Sequence, residues 1–247
     1  MRIKAVIAYD GTGYGGFQRQ KNAPTIQEDL EVALDKLTGV PTRIMAAGRT
    51  DAGVHAAGQV IAFDTAWAHS LFDLHRGLNA LLPEAIAVLT LGVVPDDFHP
   101  RYAALRRCYR YGLYLATVRD PFVSRYSLHI THPLLLEPMQ VAAQHLVGQH
   151  DFAAFGSPPK GENTLREVYQ AEWSVEGDSV YFDIAANAFL YRMVRILVGT
   201  LLRVGCGALT TADFVEILQN QDRRRAGPAV KAQGLCLRRV VYPNETL

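Results

Sequence analysis

Apolar residues recur along the chain with two periods, and the switches between them mark the elements. Ile3 to Tyr9 is rich in β-formers and predicts a strand. Ile26, Leu30, Ala33, Leu34 and Leu37 fall at helical spacing, so Thr25 to Leu37 predicts a helix. Thr25 is its N-cap, and Glu28 completes a capping box. Thr42 to Ala47 and Gly58 to Phe63 predict short strands around a Gly-rich loop. Leu71 to Leu82 predicts a helix ended by Pro83, and Ala85 to Val94 a strand. The second half roughly repeats this order. Leu105 to Leu115 alternates as a strand, and Pro138 to Val147 is helical. Val168 to Val175 and Ser179 to Ala185 form a hairpin across Glu176-Gly177-Asp178. Phe189 to Val204 and Thr211 to Gln219 are helices, and Leu235 to Tyr242 is a closing strand. Hairpins interleaved with helices argue for α+β rather than a doubly wound parallel sheet. The halves divide near Arg101 to Ala104, giving domains 1–103 and 104–247. Gly156 to Asn163 and Asp222 to Val230 read as loops.

Composition narrows the class without naming a function. The 247 residues are 49% hydrophobic and 20% charged, as in ordinary globular chains. Net charge is only +1, so charge alone announces no nucleic-acid partner, although 20 of the 25 basic residues are arginine. Cys108, Cys206 and Cys236 are odd in number and widely spaced, with no CxxC and no HExxH. Neither a disulfide framework nor a structural metal is expected. No signal-peptide pattern opens the chain and no window holds 18 uncharged apolar residues, so the expectation is a soluble, cytoplasmic protein.

Two glycine-rich segments hold the candidate chemistry. Gly11 to Gly16 matches G-x-G-x-x-G after a strand, but no helix starts inside the glycines and no acid ends the next strand. A dinucleotide site is therefore disfavoured. The better expectation is a flexible loop presenting Tyr14, Phe17, Gln18 and Arg19 to bases and phosphates. The segment from Ala46 to Ala57 sets Arg49, Thr50, Asp51 and His55 among small residues and glycines. It can admit a large ligand close to the backbone, or be a plain turn with Asp51 as a capping residue. The helix from Phe189 is apolar nearly all round, so Arg195 within it needs a carboxylate or carbonyl partner. Asp51 and Asp183 are both candidates, and Arg192 lies one turn earlier on nearly the same face. On the strand 105–115, alternation puts Arg107, Tyr109 and Tyr111 on one face and Arg106, Cys108 and Arg110 on the other.

Five segments, in order, carry a resemblance along nearly the whole chain: YDGTGYGGFQRQ (9–20), AGRTDAGVHAAGQVIAF (47–63), FHPRYAALRRCYRY (98–111), ANAFLYRMVRILVGTL (186–201) and GLCLRRVVY (234–242). The chain resembles the tRNA pseudouridine synthase A family, whose signature is the Asp-centred loop. The resemblance implies two similar α/β halves forming a continuous, mostly antiparallel sheet with helices packed on it and a basic cleft between the halves. It implies a homodimer that binds tRNA across both subunits and isomerises uridine to pseudouridine at positions 38, 39 and 40 of the anticodon stem-loop, with no cofactor. Asp51 falls on the family's catalytic aspartate, Tyr109 on the tyrosine that contacts the target base, and Arg195 on the arginine that pairs with the aspartate. Arg192 stands where many members carry His, Ile196 where many carry Asn, and Pro100 where Ala is common. Arg49, Thr50, His55, Phe17, Gln18, Arg19, Arg101, Arg107 and Arg110 are the further candidates for substrate contact, and the run Arg223 to Arg225 for phosphate. A non-catalytic RNA-binding protein of the same fold is the rival reading. Gly58 to Phe63 lacks the early aromatics of an RNA-recognition strand.

Overall fold

A computed structural model describes residues 1–158 and 161–243. Pro159 and Lys160, in the expected loop 156–163, lie outside the described residues. In chain order the elements are β1 (Arg2–Tyr9), α1 (Ile26–Thr38), β2 (Met45–Ala46), β3 (His55–Asp64), α2 (Leu71–Leu81), β4 (Ile86–Val94), β5 (Arg106–Leu115), β6 (Leu128–Ile130), α3 (Leu136–Gln144), β7 (Gly148–Asp151), β8 (Leu165–Glu176), β9 (Ser179–Ala186), α4 (Met193–Gly205), α5 (Thr211–Gln219) and β10 (Leu235–Val241). The fold is α+β with mostly antiparallel pairing, and it divides into two compact units.

The first unit comprises Met1–Leu105 and the chain from Cys236 onward. β1 pairs antiparallel with β3 and β4, β2 with β3, and β10 runs parallel to β3 through Cys236↔His55 and Leu237↔Ala56. Alternation along β1 buries Ile3, Ala5, Ile7 and Tyr9. α2 packs on β4, where Asn79 both donates to the Val88 carbonyl at 3.0 Å and accepts from the Val88 N–H at 2.9 Å. α1 packs on α2. The Thr25 hydroxyl accepts the Glu28 N–H at 3.3 Å, as its sequence position predicts, while the Glu28 side chain turns to Arg19 at 3.2 Å.

The second unit is Arg106–Leu235. β9 pairs antiparallel with β5 and β8, β7 with β8, and β6 lies parallel on β5. α3 packs on α4, α5 and β8. α4 is the apolar spine, with Met193, Leu197, Val198 and Leu201 at 1% exposure or less. It begins four residues later than its periodicity predicts. Residues 189–191 are spent on tertiary contacts: Phe189 meets Tyr109, Leu190 is buried, and the Tyr191 N–H donates to Ser157 O at 2.9 Å. Arg192 then turns the chain into the helix with φ of 60°, a left-handed conformation that few non-glycine residues adopt. It is an exposed N-cap residue rather than a helical neighbour of Arg195.

One buried carboxylate ties the first unit to pH. Glu31, 1% exposed on α1, accepts from Gln27 at 2.9 Å, Arg43 at 2.6 Å, Arg19 at 3.3 Å and the Ile44 N–H at 3.3 Å. Burial pushes its pKa up, but the bonds from Gln27, Arg43 and Ile44 outweigh this and hold it below the ordinary glutamate value. A lowered folded-state pKa contributes stability that is complete above the unfolded value, about 4.3. That contribution is lost as pH falls through the folded value. Urea titrations between pH 3 and 7 should show the wild type losing stability relative to Glu31→Gln as pH drops below about 4. Parallel curves for the two proteins would show that the carboxylate is not the sensor.

Candidate active site

The loop between β2 and β3 has little regular structure, so its backbone groups need partners from elsewhere. The Ala47 N–H donates to Val60 O at 2.8 Å. Gln59, fully buried on β3, donates its amide to Gly48 O at 3.0 Å. The Thr50 carbonyl accepts the Phe17 N–H at 3.0 Å. The Thr50 hydroxyl meets the Tyr9 hydroxyl at 2.8 Å in a buried contact. Burial pushes the Tyr9 phenol well above its ordinary pKa, so it stays protonated and can donate to Thr50. Asp51 opens a tight turn in which the Val54 N–H reaches Asp51 O at 3.1 Å, and Gly53 supplies the required φ of 75°.

The first glycine cluster braces this turn. A Cβ on Gly11 would lie 2.1 Å from Val54 O, so only glycine lets the two backbones meet. The expectation of a flexible loop with Phe17 facing a base is corrected here. Phe17 is 2% exposed and packs under the loop against Tyr9, with ring centroids 6.2 Å apart. Tyr14 is likewise engaged, its hydroxyl donating to Asp29 at 2.8 Å. Burial, then the Asp29 bond, pushes its pKa up to about 12. Gln18 is exposed, and Arg19 is held by Glu28 and Glu31.

His55 is a strand residue, 5% exposed. Its Nδ1 faces both the Gly11 N–H at 3.1 Å and Asp10 Oδ1 at 3.0 Å. A ring protonated on Nε2 accepts from the amide, whereas one protonated on Nδ1 donates to the carboxylate. Either way the side chain fastens the end of β1 to the start of β3. The loop thus buries Thr50 and His55 and leaves Arg49 exposed and Asp51 half-buried. Arg101 is exposed on a turn, its N–H donating to His99 Nδ1 at 3.2 Å.

In the second unit Tyr109 is half-buried, its ring edge-on to Phe189 at 5.1 Å and 86°. Arg107 donates to Asn187 O at 2.7 Å. Arg110 holds Asp183 directly across the β5–β9 ladder, with bonds of 2.9 and 2.8 Å. Asp183 is therefore Arg110's partner. Arg195, half-buried in the first turn of α4, donates from Nε to Val230 O at 2.7 Å. The next residue, Lys231, gives its carbonyl to the Tyr111 hydroxyl at 2.7 Å. The run Arg223 to Arg225 is largely occupied: Arg223 bonds Gly227 O, Arg224 pairs with Asp222, and Arg225 with Asp213 and Glu216. Among the described residues no group of three or more His, Cys, Asp or Glu side chains is placed to hold a metal ion. No described helix is long and apolar enough to cross a membrane.

A family model described as tRNA pseudouridine synthase matches residues 5–103 and 142–243. The chain belongs to the tRNA pseudouridine synthase A family. It is 44% identical over 253 residues to tRNA pseudouridine synthase A of Syntrophomonas wolfei, covering 99% of both chains. It is 46% identical over 245 residues to the Moorella thermoacetica protein of the same name, covering 97% of this chain and 99% of that one. The Burkholderia thailandensis protein of that name is 41% identical, covering 99% and 91% respectively. At this loop, Tyr9, Asp10 and Gln59 are supports that sequence reasoning missed. Tyr9 carried a signal: its parity on β1 faces inward, and a buried phenol needs a polar partner.

Tyr9→Phe should leave the Thr50 hydroxyl buried without that partner and cost about 1–2 kcal/mol in urea unfolding. A stability equal to wild type would show that the hydroxyl pair does not hold the loop. Gly11→Ala should cost more than Tyr9→Phe, because the clash is with backbone.

Proposed function

We propose that this chain, an isomerase acting on tRNA by its family, converts uridine to pseudouridine at positions 38, 39 and 40 of the anticodon stem-loop, with Asp51 as the reacting carboxylate. The observation that carries the assignment is the contrast around Asp51. Tyr9, Thr50, His55 and Gln59 bury their polar groups beneath the loop, while Asp51 stays half-exposed beside exposed Arg49. Such a base holds a carboxylate in place without enclosing it, as chemistry on a large substrate requires.

The isomerisation breaks the bond from N1 of the base to C1′ of the sugar and forms one from C5 to C1′. The proton on C5 leaves and N1 gains one, so no cofactor is needed for balance. A stacked base cannot turn over, and its extrusion costs a few kcal/mol that contacts elsewhere on the RNA must offset. In this reading the Asp51 carboxylate adds to the sugar or the base, or removes a sugar proton to open an elimination. Tyr109 meets the extruded base, and Arg195 serves as the carboxylate's cationic partner. The N-terminal half carries the reacting loop, and the C-terminal half carries Tyr109 and Arg195. Arg49 and Arg101, both exposed, contact phosphate. The same resemblance supports a homodimer working in the cytoplasm, with tRNA bound across both subunits.

Unmodified tRNA transcripts with uridines in the anticodon arm, incubated with the protein and no cofactor, should acquire pseudouridine at positions 38–40. Asp51→Asn should lower turnover at least about 1,000-fold while tRNA affinity stays within about threefold of wild type. Near-normal turnover by this variant would remove Asp51 from the chemistry. Tight, salt-dependent binding by the wild type without any pseudouridine would favour a non-catalytic RNA-binding role. Arg195→Ala, which also loses the bond to Val230, should lower both turnover and melting temperature. Unchanged values for both would exclude the assigned role.

A further inference from the structure

The loop between β5 and β6, residues 116–127, is firmly built yet holds aromatic side chains out in solvent. Asp120 Oδ1 accepts the Phe122 N–H at 2.8 Å, and its carbonyl accepts the Ser124 N–H at 2.8 Å. Val123 O accepts the Tyr126 N–H at 3.0 Å and the Ser127 hydroxyl at 2.9 Å. The Gln233 amide reaches across to Ser124 O at 2.6 Å and Ser127 O at 3.1 Å. On this frame Phe122 is 89% exposed, Val118 73% and Tyr126 52%. Arg119 and Arg125 are exposed between them, the Arg125 guanidinium 6.0 Å from the centre of the Tyr126 ring. The loop carries two arginines against one acid, Asp120, whose Oδ1 is turned to the Phe122 N–H, so the loop is net cationic and presents aromatic rings outward.

We propose that this loop is a further RNA contact, in which Phe122 and Tyr126 stack on exposed bases while Arg119 and Arg125 contact phosphates. It rests on the reading of tRNA as substrate. Interleaved rings and arginines on a preordered frame are what sequence-tolerant RNA binding uses, since every base offers a flat face. Order in the free protein matters, because a preorganised loop loses little entropy on binding. The loop also lies apart from Tyr109. Six strand steps separate Tyr109 from Leu115, so the loop starts roughly 20 Å along β5, beyond the nucleotide that Tyr109 meets and over a neighbouring part of the RNA. A second protein copy is a weaker fit. Two aromatics cover at most about 150–250 Å² each, short of the roughly 800 Å² a side that a stable interface buries. Gln233 adds a connection inward, for it belongs to the stretch whose Val230 and Lys231 carbonyls are held by Arg195 and Tyr111.

The test is equilibrium binding of labelled tRNA across a salt series, on the full chain, with melting and sedimentation run alongside. It needs no turnover, so a failure of the isomerase reading is seen separately in the pseudouridine assay. Phe122→Ala should weaken binding roughly tenfold, about 1.4 kcal/mol, the scale of one lost base stack. Arg119→Gln with Arg125→Gln should weaken binding and reduce the slope of log affinity against log salt by about 1–2. Melting temperature and sedimentation should be unchanged, as none of these side chains is in the core. Affinity and salt slope equal to wild type in both variants would overturn the proposal. So would a change of oligomeric state in Phe122→Ala, which would make the surface a contact between copies.

Discussion

The backbone of the Asp51 loop must find hydrogen-bond partners outside itself, and much of the first unit is arranged to supply them. An irregular segment cannot rely on a strand ladder. Here the Thr50 carbonyl takes the Phe17 N–H, the Gly48 carbonyl takes the Gln59 amide, and the Thr50 hydroxyl takes the buried Tyr9. Around them Phe17 is buried, Gly11 has no room for a side chain against Val54 O, and His55 on β3 faces the end of β1. What stays outward is the short stretch with Arg49 and Asp51.

The second unit shows the same economy with different groups. Its arginines act mainly as staples to carbonyls and acids. Arg195 holds Val230, Arg203 holds Arg225 O, Arg107 holds Asn187, and Arg110 locks Asp183 across a ladder rung. A guanidinium can satisfy a carbonyl and still present other N–H groups, which an ammonium does with less directional control. The abundance of arginine over lysine therefore has a structural use in addition to any phosphate contact.

Much of the fold was legible from periodicity and caps. α5 runs from Thr211 to Gln219, where its apolar spacing puts it, and the structure adds a capping box between Thr210 and Asp213. α1 begins after Thr25, whose hydroxyl takes the Glu28 N–H, but the expected capping box is only half formed because the Glu28 side chain pairs with Arg19. The short strands β6 and β7 were not legible: three or four residues containing His129, Gln149 and His150 give no alternation to read. The start of α4 was overshot because Phe189 and Leu190 fit a helical pattern while their packing lies elsewhere. At the site, the small and polar residues around Asp51 marked the loop, but its supports could not be seen. Tyr9 lies 41 residues from Thr50, and Gly11 lies 44 from His55. Phe17 misled for a physical reason: an aromatic among glycines looks like a ligand platform, but here the glycines clear space for backbone contact and the ring fills the space beneath.

A net charge of +1 is a poor guide to whether such a chain can hold a polyanion, because charge acts where it is exposed. Glu31 is buried under Arg19 and Arg43, Asp183 is covered by Arg110, and Asp213, Asp222 and Glu216 are matched by Arg224 and Arg225. Within each pair the field beyond a Debye length, about 8 Å at physiological salt, nearly cancels. Arg49, Arg119 and Arg125 lie exposed on loops, Arg49 two residues before Asp51 and the other two on either side of Phe122. A sum over the sequence counts these paired charges and the other exposed cations alike, and the fold tells them apart.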